Sequence, residues 1–225
     1  MGVTLKRRPA RARRGRTVAP MVASSDERAR RIVDIVGACV LVILTSPLLL
    51  LAMCAVALEG RPVLFGHERL GRHGKRFRCW KLRTMRLDAE HVLGADPVLY
   101  ELYVHNGFKI PVSQDPRITR LGRWLRRSYI DELPQLFNVL FGTMSLFGPR
   151  PIVPDELRNY GKRYGDLLLV KPGLFGAWTC RGRQRPSYPE RAALELDYVA
   201  NRSFRRDLII LVRCIPAILS GQSWA

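Results

Sequence analysis

The sequence predicts an α+β protein held on one face of a membrane, a monotopic arrangement in which an N-terminal re-entrant helical hairpin carries a small domain with interfacial helices. Three observations predict it. A run of 24 residues without a charge, Ile35 to Leu58, is broken near its middle by Ser46-Pro47. Basic residues flank that run on both sides, ten Lys/Arg in the first 31 residues and nine from Arg61 to Arg86. Beyond it, one stretch of apolar–polar alternation is followed by several short helical patterns punctuated by Gly and Pro. The chain divides accordingly into a basic tail (1–30), a broken membrane helix (31–59) and a compact domain (60–225).

The tail comes first. "RRPARARRGR" has no apolar periodicity and cannot build a core, so residues 1–25 read as disordered. A formal net charge of +19 over 225 residues points to an anionic partner: nucleic acid, membrane headgroups or a phosphorylated substrate. Because a membrane segment follows at once, an arm resting on anionic lipid is the better reading of the tail. A nucleic-acid binder would need an aromatic–basic module, which the sequence lacks. Ala55-Val56-Ala57 looks like a signal-peptidase site, but a signal sequence has an apolar region of only about 7–15 residues. The five cysteines (Cys39, Cys54, Cys79, Cys180, Cys214) are scattered with no CxxC pair, which argues against a disulfide framework or zinc site and fits a reducing compartment.

For the apolar run, 24 helical residues reach roughly 36 Å, enough to cross a hydrocarbon core of about 30 Å. On length alone a plain spanning anchor wins. Two features oppose it. Basic flanks stay on the cytoplasmic side, and one span cannot place both of them there. Pro47 has no N–H for the Ile43 carbonyl and its ring clashes with that carbonyl, so the helix bends at mid-depth. The hydroxyls of Thr45 and Ser46 are at hand for the freed backbone groups. A helix bent there enters and leaves by one face, with Asp34 at the entry and Glu59-Gly60 at the exit. The domain then rests on the cytoplasmic face of the membrane.

In that domain, "RPVLFGHERLGRHGKRFRCWKLRTM" reads as a β-hairpin, Val63–Leu70 and Arg76–Leu82, turning at "RHGK". Residues 86–114 read as one helix, Asp88–Leu93, and a loop ending at Pro111. Arg120 to Arg127 is a basic amphipathic helix with Leu121, Trp124 and Leu125 on one face. Leu133 precedes a proline and is biased out of the helical region, while Pro134 suits the first turn of a helix Pro134–Phe141. Residues 152–165 read as helical and 170–183 as a Gly-rich turn and strand. The segment from Ser187 opens with capping-box spacing, Ser187 to Glu190, and a last helix over "SFRRDLIILVRCIPAILS" suits a membrane interface or ordinary core packing equally. Neither GxGxxG nor GxxxxGK[ST] occurs.

The residues that could carry chemistry are Asp131-Glu132, with Arg123, Arg126, Arg127 and Arg150 near in sequence and Lys81 and Arg83 upstream. Taken alone, an Asp-Glu pair before a proline is more often a helix-start device, and arginines around it are more often a solvated face. The functional reading is a carboxylate nucleophile beside a divalent metal, with guanidinium groups clamping a diphosphate.

The wider pattern decides between them. "RxGxxGKxFxxxKxRTM", "DxRxTxxGxxLRxxxxDELPQxxNVLxGxMSLxGPRP", "KPGxxGxW…GR" and "LxxDLxII" follow one another through residues 69–210. This order resembles the bacterial sugar transferases, the monotopic polyprenyl-phosphate phosphoglycosyl transferases, in their small form, without a multi-span N-terminal domain. The resemblance implies transfer of a sugar-1-phosphate from a UDP-sugar to undecaprenyl phosphate with release of UMP and with Mg²⁺. It makes Asp131 the nucleophile and Glu132 its partner, both also candidates to hold the metal. It makes Lys81, Arg83, Arg126 and Arg150 the phosphate-binding set, with Asp197 and Arg183 as further candidates. The implied partners are the UDP-sugar donor, the undecaprenyl phosphate acceptor and anionic membrane lipid, with no nucleic acid; a homodimer stays open. The implied place is the cytoplasmic face of the bacterial inner membrane, at the start of glycan assembly such as that of an exopolysaccharide. The chain departs from the pattern at His67 (usually Gln), Thr143 (usually Asp) and Thr179 (commonly Gln), which bears on donor choice or local packing. The competing reading is a membrane-bound scaffold or regulator of the same fold that no longer catalyses; the intact Asp131-Glu132 pair speaks against it.

Overall fold

The computed structural model describes residues 24–105, 110–177 and 186–219. Most of the basic tail therefore lies outside the described residues, as do Thr179, Cys180 and Arg183. Helix α1, Ser24–Leu58, already begins inside the segment expected as tail and runs for 35 residues, roughly 52 Å at 1.5 Å per residue. It is followed by strands β1 (Leu64–Leu70) and β2 (Arg76–Leu82), helices α2 (Ala89–Ala95), α3 (Pro97–His105), α4 (Arg120–Arg127) and α5 (Gln135–Leu140), and strand β3 (Ser145–Phe147). Helix α6 (Tyr164–Leu167), strand β4 (Gly173–Phe175) and helices α7 (Glu190–Ala200) and α8 (Phe204–Leu219) complete the chain. Helices and strands are mixed as expected.

Helix α1 is a single element through Pro47. The two hydroxyls just before the missing N–H do what their chemistry allows: Ser46 Oγ donates to the Ile43 carbonyl (2.9 Å) and Thr45 Oγ1 to the Leu41 carbonyl (2.7 Å). One face of the helix packs on the domain both before and after the proline. Ala38, with Leu41 and Val42 beside it, joins Leu136, Val139, Met144 and Leu146. Leu49, Ala52 and Val56 join Leu82, Leu125 and Ile130. Near its start, Arg31 donates to the carbonyls of Val139 and Leu140 (2.6 Å each) at the C-terminal end of α5. Asp34 accepts from Ser145 Oγ (2.9 Å) and the Leu146 N–H (2.8 Å). The opposite face is bare and apolar: Ile43, Leu44 and Leu51 are 70–71 % exposed.

Strands β1 and β2 form the expected antiparallel hairpin, in register from Leu64 opposite Leu82 to Leu70 opposite Arg76. Strands β3 and β4 pair in parallel, Ser145 with Gly173 and Phe147 with Phe175. Glycine is required there by close approach, since a Cβ on Gly173 would stand 2.0 Å from the Gly148 nitrogen.

Several expectations are corrected. Residues 97–105, expected in a loop, form α3, because Asp96 Oδ1 accepts the N–H groups of Val98 (3.0 Å) and Leu99 (3.1 Å) and Pro97 suits a first helical turn. Residues 154–163 form a 3₁₀ stretch that breaks at Gly161 (φ 54°) before α6, in place of one helix. Leu133 is helical (φ −54°, ψ −35°) despite Pro134, held as the last residue of a tight turn that runs on into α5 and packs against both core clusters beneath α1. Helix α7 starts after Pro189, which offers no side-chain cap, so Ser187 is not its N-cap residue. Helix α8 packs in the core through one face, Ile210 and Cys214 with Val170, Tyr198 and Val199, while Leu208, Val212 and Ile215 stay exposed.

Candidate active site

Asp131 and Glu132 sit in a 3₁₀ turn, Ile130–Glu132, between α4 and α5. The sequence builds that turn from both sides. Thr119 Oγ1 caps α4 by accepting the Gly122 N–H (2.8 Å), and Gly122 lies so close to Thr84 that a Cβ would stand 2.0 Å from its carbonyl oxygen. Helix α4 therefore presses against the end of the hairpin strand. After Ser128 the chain reverses through Tyr129 in the left-handed region (φ 59°), and the next residue is buried in the core beneath α1. Asp131 follows it inward, 6 % exposed, while the Glu132 side chain reaches the surface and is a third exposed.

Burial, then the neighbouring Glu132 charge, pushes the Asp131 carboxyl up to about 7; the positive charges of Lys81 and Arg126 pull the other way. Lys81, on β2, pairs with Glu132 at 2.5 Å. Arg126, on the inner side of α4, donates through Nε to Thr84 Oγ1 (2.9 Å) and is pushed below its usual pKa by burial, with the Asp131 charge opposing. The Arg150 backbone N–H donates to Glu195 Oε1 (3.3 Å), and its charge is felt at Arg69 and Cys79, together with those of Lys81 and Glu132 at Cys79. Lys81 and Arg126 thus act on the dyad itself, and Arg150 acts on Cys79, where the charges of Lys81 and Glu132 also reach.

Two expected members stand elsewhere. Arg83 spends four of its five N–H groups on backbone carbonyls, those of Pro62 (2.8 Å), Met85 (3.2 Å), Val56 (3.1 Å) and Gly60 (2.7 Å). It ties the end of α1 to the hairpin rather than offering a guanidinium to phosphate. Asp197 lies on the outer face of α7, paired with Arg206 (2.9 Å) and accepting from Asn201 (2.7 Å). Arg183 lies outside the described residues.

The acidic residue of α7 that does face the site is Glu195, 1 % exposed. It accepts from the Tyr160 hydroxyl, from Arg191 Nε (3.3 Å) and from the Arg150 N–H. Burial, then the Glu195 charge, pushes the Tyr160 phenol far up, so it remains a donor at physiological pH. Arg69 on β1, paired with Glu156 at 3.6 Å, adds a further cation beside Arg150. The signal for Glu195 is in the sequence: it shares a helical stripe with Ala192, Leu196 and Val199, where a charge is out of place unless it has partners.

Among the described residues no group of three or more His, Cys, Asp or Glu forms a metal cluster. Asp131 and Glu132 are adjacent hard oxygen donors, which fits Mg²⁺, an ion that takes one or two protein carboxylates and completes its shell with water and substrate phosphate. Chemically, the site pairs a buried carboxyl that ionises near neutrality with cations fit for a diphosphate.

The bacterial sugar transferase family model matches residues 25–221. The chain is 41 % identical over 194 residues to an undecaprenyl-phosphate galactose phosphotransferase of Salmonella typhimurium, covering 84 % of this chain and 40 % of that protein. It is 40 % identical over 195 residues to the exopolysaccharide production protein ExoY of Rhizobium meliloti, covering 84 % of this chain and 85 % of that one. It is 38 % identical over 205 residues to the UDP-glucose:undecaprenyl-phosphate glucose-1-phosphate transferase of Caulobacter vibrioides, covering 86 % and 71 %. The chain thus spans only about two fifths of the length of the Salmonella relative. With the family model covering nearly all of the residues that build the site, this chain belongs to the bacterial sugar transferase family.

Proposed function

We propose that this protein moves a sugar-1-phosphate from a UDP-sugar to undecaprenyl phosphate, releasing UMP, at the cytoplasmic face of the bacterial inner membrane. The observation that carries the proposal is the buried Asp131 carboxyl beside Lys81, Glu132 and Arg126. An Asp131 oxygen attacks the donor phosphorus that bears the sugar. The bond from that phosphorus to the bridging oxygen breaks, and its electron pair leaves with UMP. The resulting aspartyl phospho-sugar is then attacked at the same phosphorus by the acceptor's phosphate oxygen, which expels Asp131 and leaves the lipid diphosphate sugar. Lys81, Arg126 and Arg150 offset repulsion between anions in both displacements. Glu132 holds Lys81 in place, and burial excludes water that would otherwise hydrolyse the intermediate. Asp131 and Glu132 would hold Mg²⁺, which would supply further charge neutralisation at the diphosphate.

The same structure supports the re-entrant reading of α1. A spanning helix would need about 20 residues clear of any polar body. Here Leu41 and Val42 pack on one core cluster and Leu49 and Ala52 on the next, so the domain follows the helix on both sides of Pro47. Crossing the bilayer would drag that domain in, whereas lying in one leaflet buries only the bare apolar face. Such a placement lets one site reach a soluble donor and a lipid acceptor. Membranes containing the protein, given undecaprenyl phosphate and a panel of UDP-sugars, should release UMP from at least one. Release from none would refute the proposal.

A further inference from the structure

Cross-strand partners of an antiparallel hairpin share a face, so Phe65 stands with Lys81 and His67 with Cys79 on the side of the hairpin that meets the dyad. His67 is the diagonal neighbour of Lys81, roughly 7–8 Å away, and Arg69 lies two residues further along the same face. Lys81 is held against Glu132, next to the attacking carboxyl, so a sugar on the attacked phosphorus lies beside this part of β1.

The imidazole is oriented. Nδ1 stands 3.0 Å from the Glu68 carbonyl oxygen, and since a carbonyl has no proton to give, Nδ1 carries the hydrogen. The Phe65 ring meets the imidazole edge-on, 6.1 Å between centroids at 72°. Burial, then the Arg69 charge, lowers the ring's pKa, so the neutral form prevails at pH 7 and Nε2 keeps its lone pair. Among the described residues that lone pair has no hydrogen-bond partner. Lys81, Arg69 and Arg150 carry only donors, which suit phosphate oxygens. A sugar hydroxyl also has a proton to place, and that needs an acceptor.

Resting on the phosphotransferase reading above, we infer that Nε2 of His67 accepts a hydrogen bond from a hydroxyl of the donor sugar and so helps to set which sugar the site prefers. The test takes the UDP-sugar that turns over best and its monodeoxy analogues, each lacking one hydroxyl, and measures kcat/KM for UMP release. The wild type should disfavour one analogue by about three- to tenfold, the worth of one neutral hydrogen bond. His67→Ala and His67→Phe should bring that ratio to near one by slowing the parent sugar while leaving the matching analogue unchanged. His67→Gln, whose side-chain carbonyl can accept, should restore it. An unchanged ratio in the Ala and Phe variants overturns the inference, and so does an equal loss on every substrate, which would make position 67 structural. Should the wild type release no UMP from any UDP-sugar, the phosphotransferase reading falls first and this inference with it.

Discussion

Replacing Asp131 by Asn probes the strain that burial places on the candidate nucleophile. The folded carboxyl ionises near pH 7, against an ordinary value of 3.8. Because the folded pKa is raised, the protonated acid is the form the fold favours. The stability this group contributes is full below about pH 4 and is lost as pH rises towards 7, after which it stays flat. At about 1.4 kcal/mol per pH unit, the ionised Asp131 destabilises the fold by on the order of 4 kcal/mol above pH 7, and by less than half of that at pH 5. Asn keeps the shape without the charge. In detergent, Asp131→Asn should therefore raise the unfolding temperature at pH 8 by about 10 °C, taking 2–4 °C per kcal/mol for a chain of this size, and by clearly less at pH 5. The same titration should appear in wild-type kcat/KM for the donor, which should climb tenfold per pH unit below about 7 and level off above it. Thermal unfolding at the two pH values decides. A variant no more stable than wild type at pH 8, or equally stabilised at both, would show that the carboxylate is not strained and would remove the physical basis for its reactivity.

Arg83→Ala removes the side-chain donor to four backbone carbonyls that join the end of α1 to the hairpin and should destabilise the protein by roughly 2–4 kcal/mol, while the folded fraction keeps its specific activity. Arg126→Ala should show the reverse, a fold that survives and turnover reduced at least a hundredfold; thermal unfolding beside UMP release separates the two. Asp197→Asn breaks only an exposed pair with Arg206 and should change activity less than twofold. Pro47→Leu restores an N–H to α1, so protease added outside intact spheroplasts should begin to cut one terminus in part of the population, whereas both termini of the wild type stay protected.

Where side-chain period follows the backbone, the sequence is a good guide. Helix α4 occupies Arg120–Arg127 and buries Leu125 with Leu121 beside it, although Trp124, expected on the same face, is exposed; the hairpin differs from expectation only at Val63. Asp131, Glu132, Lys81 and Arg126 come together because their motifs lie on elements whose packing the glycine at 122 and the left-handed Tyr129 enforce. What a linear motif cannot tell is where a long side chain ends. Arg83 and Lys81 are two residues apart, at and just past the end of β2, yet one reaches the helix end and the other the dyad. Asp197 and Glu195 are likewise two apart on one helix, which puts them on nearly opposite faces, and the buried one matters. The helical start at Asp96-Pro97 was there to be read; the packing of α1 along the whole domain was not, because an apolar run looks the same whether its partner is lipid or protein.

The central claim is that Asp131 becomes covalently bonded to the phospho-sugar. Wild-type protein mixed with a donor radiolabelled in the sugar-bearing phosphate, with no acceptor present, should release UMP and retain label on the peptide containing Asp131. Undecaprenyl phosphate should then discharge that label into lipid, and Asp131→Asn should take up none. Release of UMP only when donor and acceptor are both present, or label that persists in Asp131→Asn, would contradict the account.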